Sequence, residues 1–410
     1  MTNPHLLRLF FLFIVCSNTL ATAQKYTFNR PKMGSPFIIT AYAADSAKLL
    51  TVIDLAYRRV DTLNQIFSDY LATSEINLLC KNQKPRVWQP ISDDLFHVLE
   101  LSKKAFDDSH GAYDVTIAPV VRLWRKARKE KVLPDEKNLK TALSKVGFNK
   151  IELDSSYLYS NENGFRISLR KIPSIFLRLG FNFIEFEQNL RKIPSIFLRC
   201  IKTRQSDNHF HCSLEVDSSR FEPPKKAKMR FYTEGASFDF GGIVKGFAAQ
   251  EVVNLLTING FPICFADAGG DLAMGASPII EGQKTSGWRV GVSVPNSENQ
   301  LMPQFLFLHH QAVATSGDLY QSVTINGKTY SHIVNPKTGL GLTHRRNVTV
   351  IAPDGAQADW LATACSVLPI KKALKLVKKY PNVELLIMEN RKDKIKHWES
   401  SGFSKYFSEY

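Results

Sequence analysis

The sequence predicts an α+β fold, a single mixed α/β catalytic unit, on two observations. Segments of helical periodicity and short β-rich runs are interspersed without the regular strand–helix–strand rhythm of a doubly wound sheet. At 410 residues and 44% hydrophobic, the chain also holds enough apolar material for one large core or two moderate ones. Taken in order, a β-rich run at 37–42 is followed by an amphipathic helix over 46–67, in which Leu49, Leu50, Ile53, Ala56, Val60, Leu63 and Ile66 recur at three and four. A second such helix covers 93–106. Further β-rich runs lie at 156–169, 263–266, 288–294, 347–351 and 383–388, with helices near 356–368 and 370–380. Between them, Ser237-Phe-Asp-Phe-Gly-Gly-Ile-Val-Lys-Gly-Phe-Ala248 carries a strand end into paired glycines and then a helix closed by Gly260.

The start of the chain reads as an export signal of residues 1–23: Arg8, an apolar run from Leu9 to Val15, and Ala21-Thr22-Ala23 as a small-residue cleavage site. The mature chain then begins at Gln24 and is exported, as a periplasmic protein. Cys16 offers the alternative of a lipid anchor on the inner membrane, although Val15 is larger than lipoprotein processing accepts. No later segment approaches the ~20 apolar residues of a membrane span. Cys80, Cys200, Cys212, Cys264 and Cys365 remain after cleavage, an odd number without a C-x-x-C pair, so buried free thiols are expected at Cys264 and Cys365. His209-Phe-His211-Cys212 is read as incidental.

The net charge of +15 is concentrated rather than spread: residues 169–230 hold 13 Lys/Arg against 6 Asp/Glu, and Leu123-Trp-Arg-Lys-Ala-Arg-Lys-Glu-Lys131 adds more. Without a nucleic-acid motif, this reads as a solvated basic face, and no nucleic-acid partner is expected. Leu-Arg-Lys-Ile-Pro-Ser-Ile-Phe-Leu-Arg occurs identically at 169–178 and 190–199. Two perfect copies indicate a duplication rather than a solenoid. The block 173–224 is therefore read as a loop insertion within the unit 24–410, separating Phe165–Leu169 from a hairpin partner at Lys228–Phe231.

Several segments carry groups suited to chemistry. Gly241 and Gly242 allow a sharp turn and close approach to a ligand, and a helix N-terminus with Lys245 favours an anion; close packing is the alternative reason for the glycines. Asp359 and Thr363 lie i,i+4 on one helix face and offer hard oxygens that suit Mg²⁺. An Asp serving the helix dipole and a Thr bonded to its own helix would have the same spacing. Ala314-Thr-Ser-Gly-Asp-Leu-Tyr320 reads as a turn. His332, in a strand leading to the turn Asn335–Gly339, can accept a proton near neutral pH or serve structurally. Tyr113 beside Asp114 suits a flat heterocycle and its hydroxyls, or the core.

Together these segments resemble the ApbE-type flavin transferases. The resemblance rests on Met33-Gly-Ser-Pro36, Phe67-Ser-Asp-Tyr70, Ser74-Glu-Ile-Asn77, Gly111-Ala-Tyr-Asp-Val-Thr116, Asp239–Phe247, Ala268-Gly-Gly270, Ala314-Thr-Ser-Gly317, His332-Ile-Val-Asn-Pro336 and Ala358-Asp-Trp-Leu-Ala-Thr363, all in the family's order. It implies Mg²⁺-dependent cleavage of FAD, transfer of FMN to a threonine of a membrane-associated redox subunit, and release of AMP. It assigns FAD contacts to Met33, Tyr70, Ala112, Tyr113, Asp114, Gly241, Phe247 and Val334. Mg²⁺ is assigned to Asp359 and Thr363 with backbone oxygen of Val244 and Ala362, and His332 becomes the base that prepares the acceptor. The family often has Asp where Asn335 stands and Ala where Val244 stands. FAD hydrolysis to FMN and AMP, and an FAD carrier without turnover, are the competing readings.

Overall fold

An eight-stranded antiparallel sheet runs through the computed structural model, its strands side by side in the order in which the chain makes them. They are β1 (Gln24–Lys32), β2 (Ser35–Ala43), β3 (Cys264–Asp267), β4 (Leu272–Met274), β5 (Ala312–Gly317), β6 (Arg345–Ala352), β7 (Glu384–Arg391) and β8 (Lys394–Glu399). The structure describes residues 23–154, 203–204, 210–211, 226–278, 287–295, 301–317, 322–391 and 394–407. The helices are α1 (Ser46–Phe67), α2 (Glu75–Lys81), α3 (Asp93–Asp108), α4 (Ala118–Glu130), α5 (Glu136–Leu143), α6 (Val244–Ile258), α7 (Gly355–Val367) and α8 (Ile370–Val377).

Alternation along the strands divides the apolar side chains between two layers. Val348, Val350 and Ala352 of β6 and Leu385 and Ile387 of β7 join the large core beneath the helices. Ile351, Leu386 and Met388 point the other way, with Val313, into a smaller core covered by Trp288, Leu306, Leu308 and Phe403. Trp288–Pro295 and Leu301–Leu308 pair antiparallel and form that cover.

The helices form for local reasons and are then fixed by burial. Asp45 caps α1 by accepting the Lys48 N–H at 2.9 Å, and Leu49, Val52, Ile53, Ala56, Val60 and Leu63 make its buried stripe. Ser92 and Asp354 cap α3 and α7 in the same way. Arg59 of α1 binds both oxygens of Asp94 on α3, at 2.6 and 2.7 Å, and Glu251 on α6 at 2.7 Å, which pins three helices at one guanidinium. α7 is buried nearly all round, so its alanines and glycine reflect close packing rather than an exposed face.

The α+β expectation holds, and the helices at 46–67 and 93–106 are present. Ala314–Gly317 differs from its reading as part of a turn, and 318–320 lie outside the described residues. Ala312–Gly317 is instead strand β5 inside the sheet, its small residues needed because a Cβ on Gly317 would lie 2.6 Å from Asn347 Oδ1. Lys228–Phe231 pairs with Gln89–Pro90 on one side and Ile151–Leu153 on the other. Its expected partner at 165–169, the strand at 156–169, the signal segment 1–22 and most of block 173–224 lie outside the described residues. From that block Thr203–Arg204 pairs with Phe210–His211. Cys264 and Cys365 are buried free thiols, as expected, and burial pushes both up to about 12. No helix among the described residues is long and apolar enough to cross a membrane.

The closest helix contact is between α6 and α7: a Cβ on Gly246 would lie 2.0 Å from the Gly355 carbonyl oxygen. Gly246→Ala is expected to force these helices apart, costing about 3 kcal/mol or more and lowering Tm in a thermal melt by about 4 °C or more.

Candidate active site

The contact that brings α6 against α7 also assembles the acidic site. Asp359 Oδ2 accepts the Gly246 N–H at 3.2 Å, and a Cβ on Gly242 would lie 2.6 Å from Thr363 Oγ1. Thr363 Oγ1 is also 3.4 Å from Ser316 Oγ on β5, so the reassigned strand supplies a hydroxyl here. Asp359 is only 3% exposed. Burial first, and then the charge of Asp271, push its carboxyl well above the ordinary range, while the Gly246 N–H and Lys245 act the other way.

Asp271 is the functional candidate the sequence reading passed over. It follows Ala268-Gly-Gly270, and the signal available was that glycine pair followed directly by a carboxylate. Its backbone carbonyl accepts the Ala268 N–H at 2.9 Å, closing the turn between β3 and β4. Asp267 Oδ1 holds the same turn by accepting from Gly269 and Gly270 at 2.8 and 2.7 Å. Burial raises the Asp271 carboxyl, against the lowering influence of Lys245. A Cβ on Gly269 would lie 2.5 Å from Ser35 Oγ and 3.6 Å from Lys245 Nζ, so the β1–β2 turn bearing Met33 abuts the same place. Met33 itself sits in the left-handed region at φ 51°.

The amides at the start of α6 are used differently from the expectation of a free anion cradle. The Gly241 N–H donates to Asp239 Oδ1 at 2.9 Å, the Ile243 and Val244 N–H groups to Phe240 O, and the Gly246 N–H to Asp359. Close packing accounts for Gly242 and Gly246, and Lys245 supplies the cationic charge. Val244 begins α6, and the Ala362 carbonyl accepts the Ser366 hydroxyl at 2.9 Å. Phe247 is buried, its ring centroid 6.0 Å from that of His97.

The segment 111–116 forms an adjoining wall. Tyr113 is buried with its ring 6.2 Å from Trp360. Burial, followed by the charge of Asp359, raises its hydroxyl well above the usual tyrosine range. Ala112 is buried too. Asp114 Oδ1 accepts from Thr116 N and Oγ1 at 2.8 and 2.6 Å. Burial nevertheless raises its carboxyl to about 6. His332 follows the strand Lys328–Ser331, and Val334 bridges to Gly341. The turn after them reaches the wall: a Cβ on Gly111 would lie 3.9 Å from Lys337 Cε.

Tyr70 stands apart from these buried groups, 79% exposed on the loop after α1. The Arg125 guanidinium lies 4.4 Å from its ring centroid and 2.5 Å from Asp69 Oδ2, so the basic face of α4 is partly paired rather than simply solvated.

Among the described residues no three His, Cys, Asp or Glu side chains form a metal cluster. The donors present are instead a buried carboxylate and a hydroxyl one helical turn on, with a second, half-buried acid beside them. This is a hard-oxygen set that fits Mg²⁺ better than zinc.

The fold and site thus define an α+β protein whose acidic centre lies where two helices meet beneath an antiparallel sheet. Residues 33–173 and 201–387 match the ApbE family, and the chain belongs to that family. The unmatched stretch 174–200 contains the second decapeptide copy. The chain is 21% identical over 379 residues to an FAD:protein FMN transferase of Klebsiella pneumoniae, covering 91% of this chain and 87% of that one. It is 32% identical over 160 residues to one of Treponema pallidum, covering 38% and 44%. The flavin transferase ApbE from Vibrio cholerae superposes with a TM-score of 0.67 at 19% identity, over 94% of this chain and 99% of that one. The ApbE protein of Thermotoga maritima gives 0.66 at 20%, over 94% and 100%.

Because the Asp114 carboxyl is raised on folding, its burial favours the folded state below the unfolded value near 3.8, and that advantage is lost as pH rises through about 6. Asp114→Asn keeps the Thr116 acceptor but removes the charge. Denaturant titrations are expected to show the variant gaining on the wild type between these pH values, by on the order of 2–3 kcal/mol.

Proposed function

We propose that this chain is an exported, Mg²⁺-dependent FAD:protein FMN transferase that joins FMN through a phosphoester to a threonine of a membrane-associated redox subunit and releases AMP. The observation that carries the reading is the meeting of Asp359 and Thr363 with the glycine-bearing start of α6, beside Lys245. Membership of a family whose relatives bear that activity in their names supports it. The apolar run and Ala21-Thr22-Ala23 support export.

In this mechanism Asp359 and Thr363 would hold Mg²⁺, helped by backbone oxygen at Val244 and Ala362, and the ion would supply neutralisation of the charge that develops on the pyrophosphate. Lys245 stabilises the same charge from the protein side. Met33, Tyr70, Ala112, Tyr113, Asp114, Gly241, Phe247 and Val334 bind and orient FAD. His332 removes the proton from the acceptor threonine, whose oxygen attacks the phosphorus of the FMN half. The bond from that phosphorus to the bridging oxygen breaks, and the oxygen leaves with AMP.

The purified mature chain, FAD and a threonine-containing acceptor peptide are expected to yield AMP and an FMN-bearing peptide by mass spectrometry only when Mg²⁺ is present. Asp359→Ala should abolish both products, and His332→Ala should slow them by about 10²–10⁴-fold. AMP without modified peptide would make the protein a hydrolase; binding of FAD without AMP would make it a carrier.

A further inference from the structure

Tyr70 is a conspicuous member of the site because it has so little core to hold it. An exposed tyrosine on a loop has no fixed plane of its own, and a stacking surface must have one. Here the plane is supplied from α4. The Arg125 guanidinium lies 4.4 Å from the ring centroid, and its Nη2 is 2.5 Å from Asp69 Oδ2 and 3.7 Å from Asp239 Oδ2. Asp239 in turn accepts the Gly241 N–H with its other oxygen. The Tyr70 and Leu71 N–H groups each lie 3.3 Å from Ser68 Oγ, which turns the loop back toward α4. One planar cation therefore touches the aromatic ring, the residue preceding it in the loop, and the acid that holds the glycine turn.

We propose that Arg125 is a positioning residue for the flavin nucleotide: anchored by Asp69 and Asp239, it backs one face of Tyr70 and presents the other as a platform for a heterocycle, in register with the turn at Gly241. The assignment rests on the flavin reading above and adds to it the residue that orients the platform. A guanidinium does this where an ammonium does not, because it stacks flat on the ring while its edge nitrogens remain bonded to carboxylates. The ring it covers is 79% exposed, so the contact adds little to core packing. Its effect falls on the shape of the surface offered to a ligand.

The test is a titration of the purified mature chain with FAD, followed by quenching of flavin fluorescence on stacking, together with steady-state AMP release. Arg125→Ala should weaken FAD binding about tenfold, the size of one stacking contact, lose most of the quenching, and leave kcat within about twofold. Arg125→Lys should fall between the two, and Lys126→Ala, on the exposed side of α4, should match the wild type. Tyr70→Ala should weaken binding to a similar degree, and adding Arg125→Ala to it should cost nothing further, because the two act as one unit. Equal binding and quenching in Arg125→Ala and wild type overturns the assignment, as do fully additive losses in the double variant. A wild-type protein that does not bind FAD overturns the flavin reading and this one with it. If Arg125→Ala melts well below the wild type, Arg125→Lys and Asp69→Asn carry the same comparison.

Discussion

The approach of α6 to α7 through two glycines is the constraint from which the site follows. Cβ atoms on Gly246 and Gly355 would lie 2.0 and 2.1 Å from the opposite glycine's carbonyl oxygen, so the helices cross with backbone against backbone. At that separation the Gly246 N–H reaches the Asp359 carboxylate, and Thr363 fits against Gly242. The Arg59 bridge to Asp94 and Glu251 holds α6 from its other side, and the sheet supports α7 from below. A wider crossing would separate the acid and hydroxyl from the turn that faces them.

That contact also concentrates charge. Asp359 is taken out of water and Asp271 is half-buried beside it near one lysine, an arrangement costly for two carboxylates unless a cation joins them. The protein thus stores an affinity for positive charge where α6 meets α7. The Asp114 wall differs, because both bonds from Thr116 satisfy a single oxygen and its charge is set mainly by burial.

What could be read from the sequence is what periodicity and local chemistry encode. The stripe of α1 gave that helix its observed bounds, and the i,i+4 spacing of Asp359 and Thr363 placed them on one face. The meander order of the sheet was hidden, because β3 and β4 are only four and three residues long and long excursions separate β2 from β3, β4 from β5, β5 from β6 and β6 from β7. β5 was misread because Thr, Ser and Gly suit turns as well as crowded strands. The hairpin Ser322–Ser331 was missed although Asn326-Gly327, both at positive φ, is a hairpin-turn signal. Asp271 was missed because its partners, Lys245 and Asp359, come from elements far away in the chain.

Among the described residues the sheet of eight strands ends at β1 and β8 with no further strand paired to either, and both edges carry residues that disfavour one. β1 carries Lys25, Arg30, Pro31 and Lys32, with Arg30 and Lys32 paired to Asp54 and Asp61 of α1, and β8 carries Lys394, Lys396, His397 and Glu399 beside Ile395 and Trp398. Proline withholds a donor, and charged side chains along an edge discourage a second copy from adding its own strand. Part of the chain's charge, free or paired across to α1, therefore lies where it makes a long β edge a poor template for aggregation.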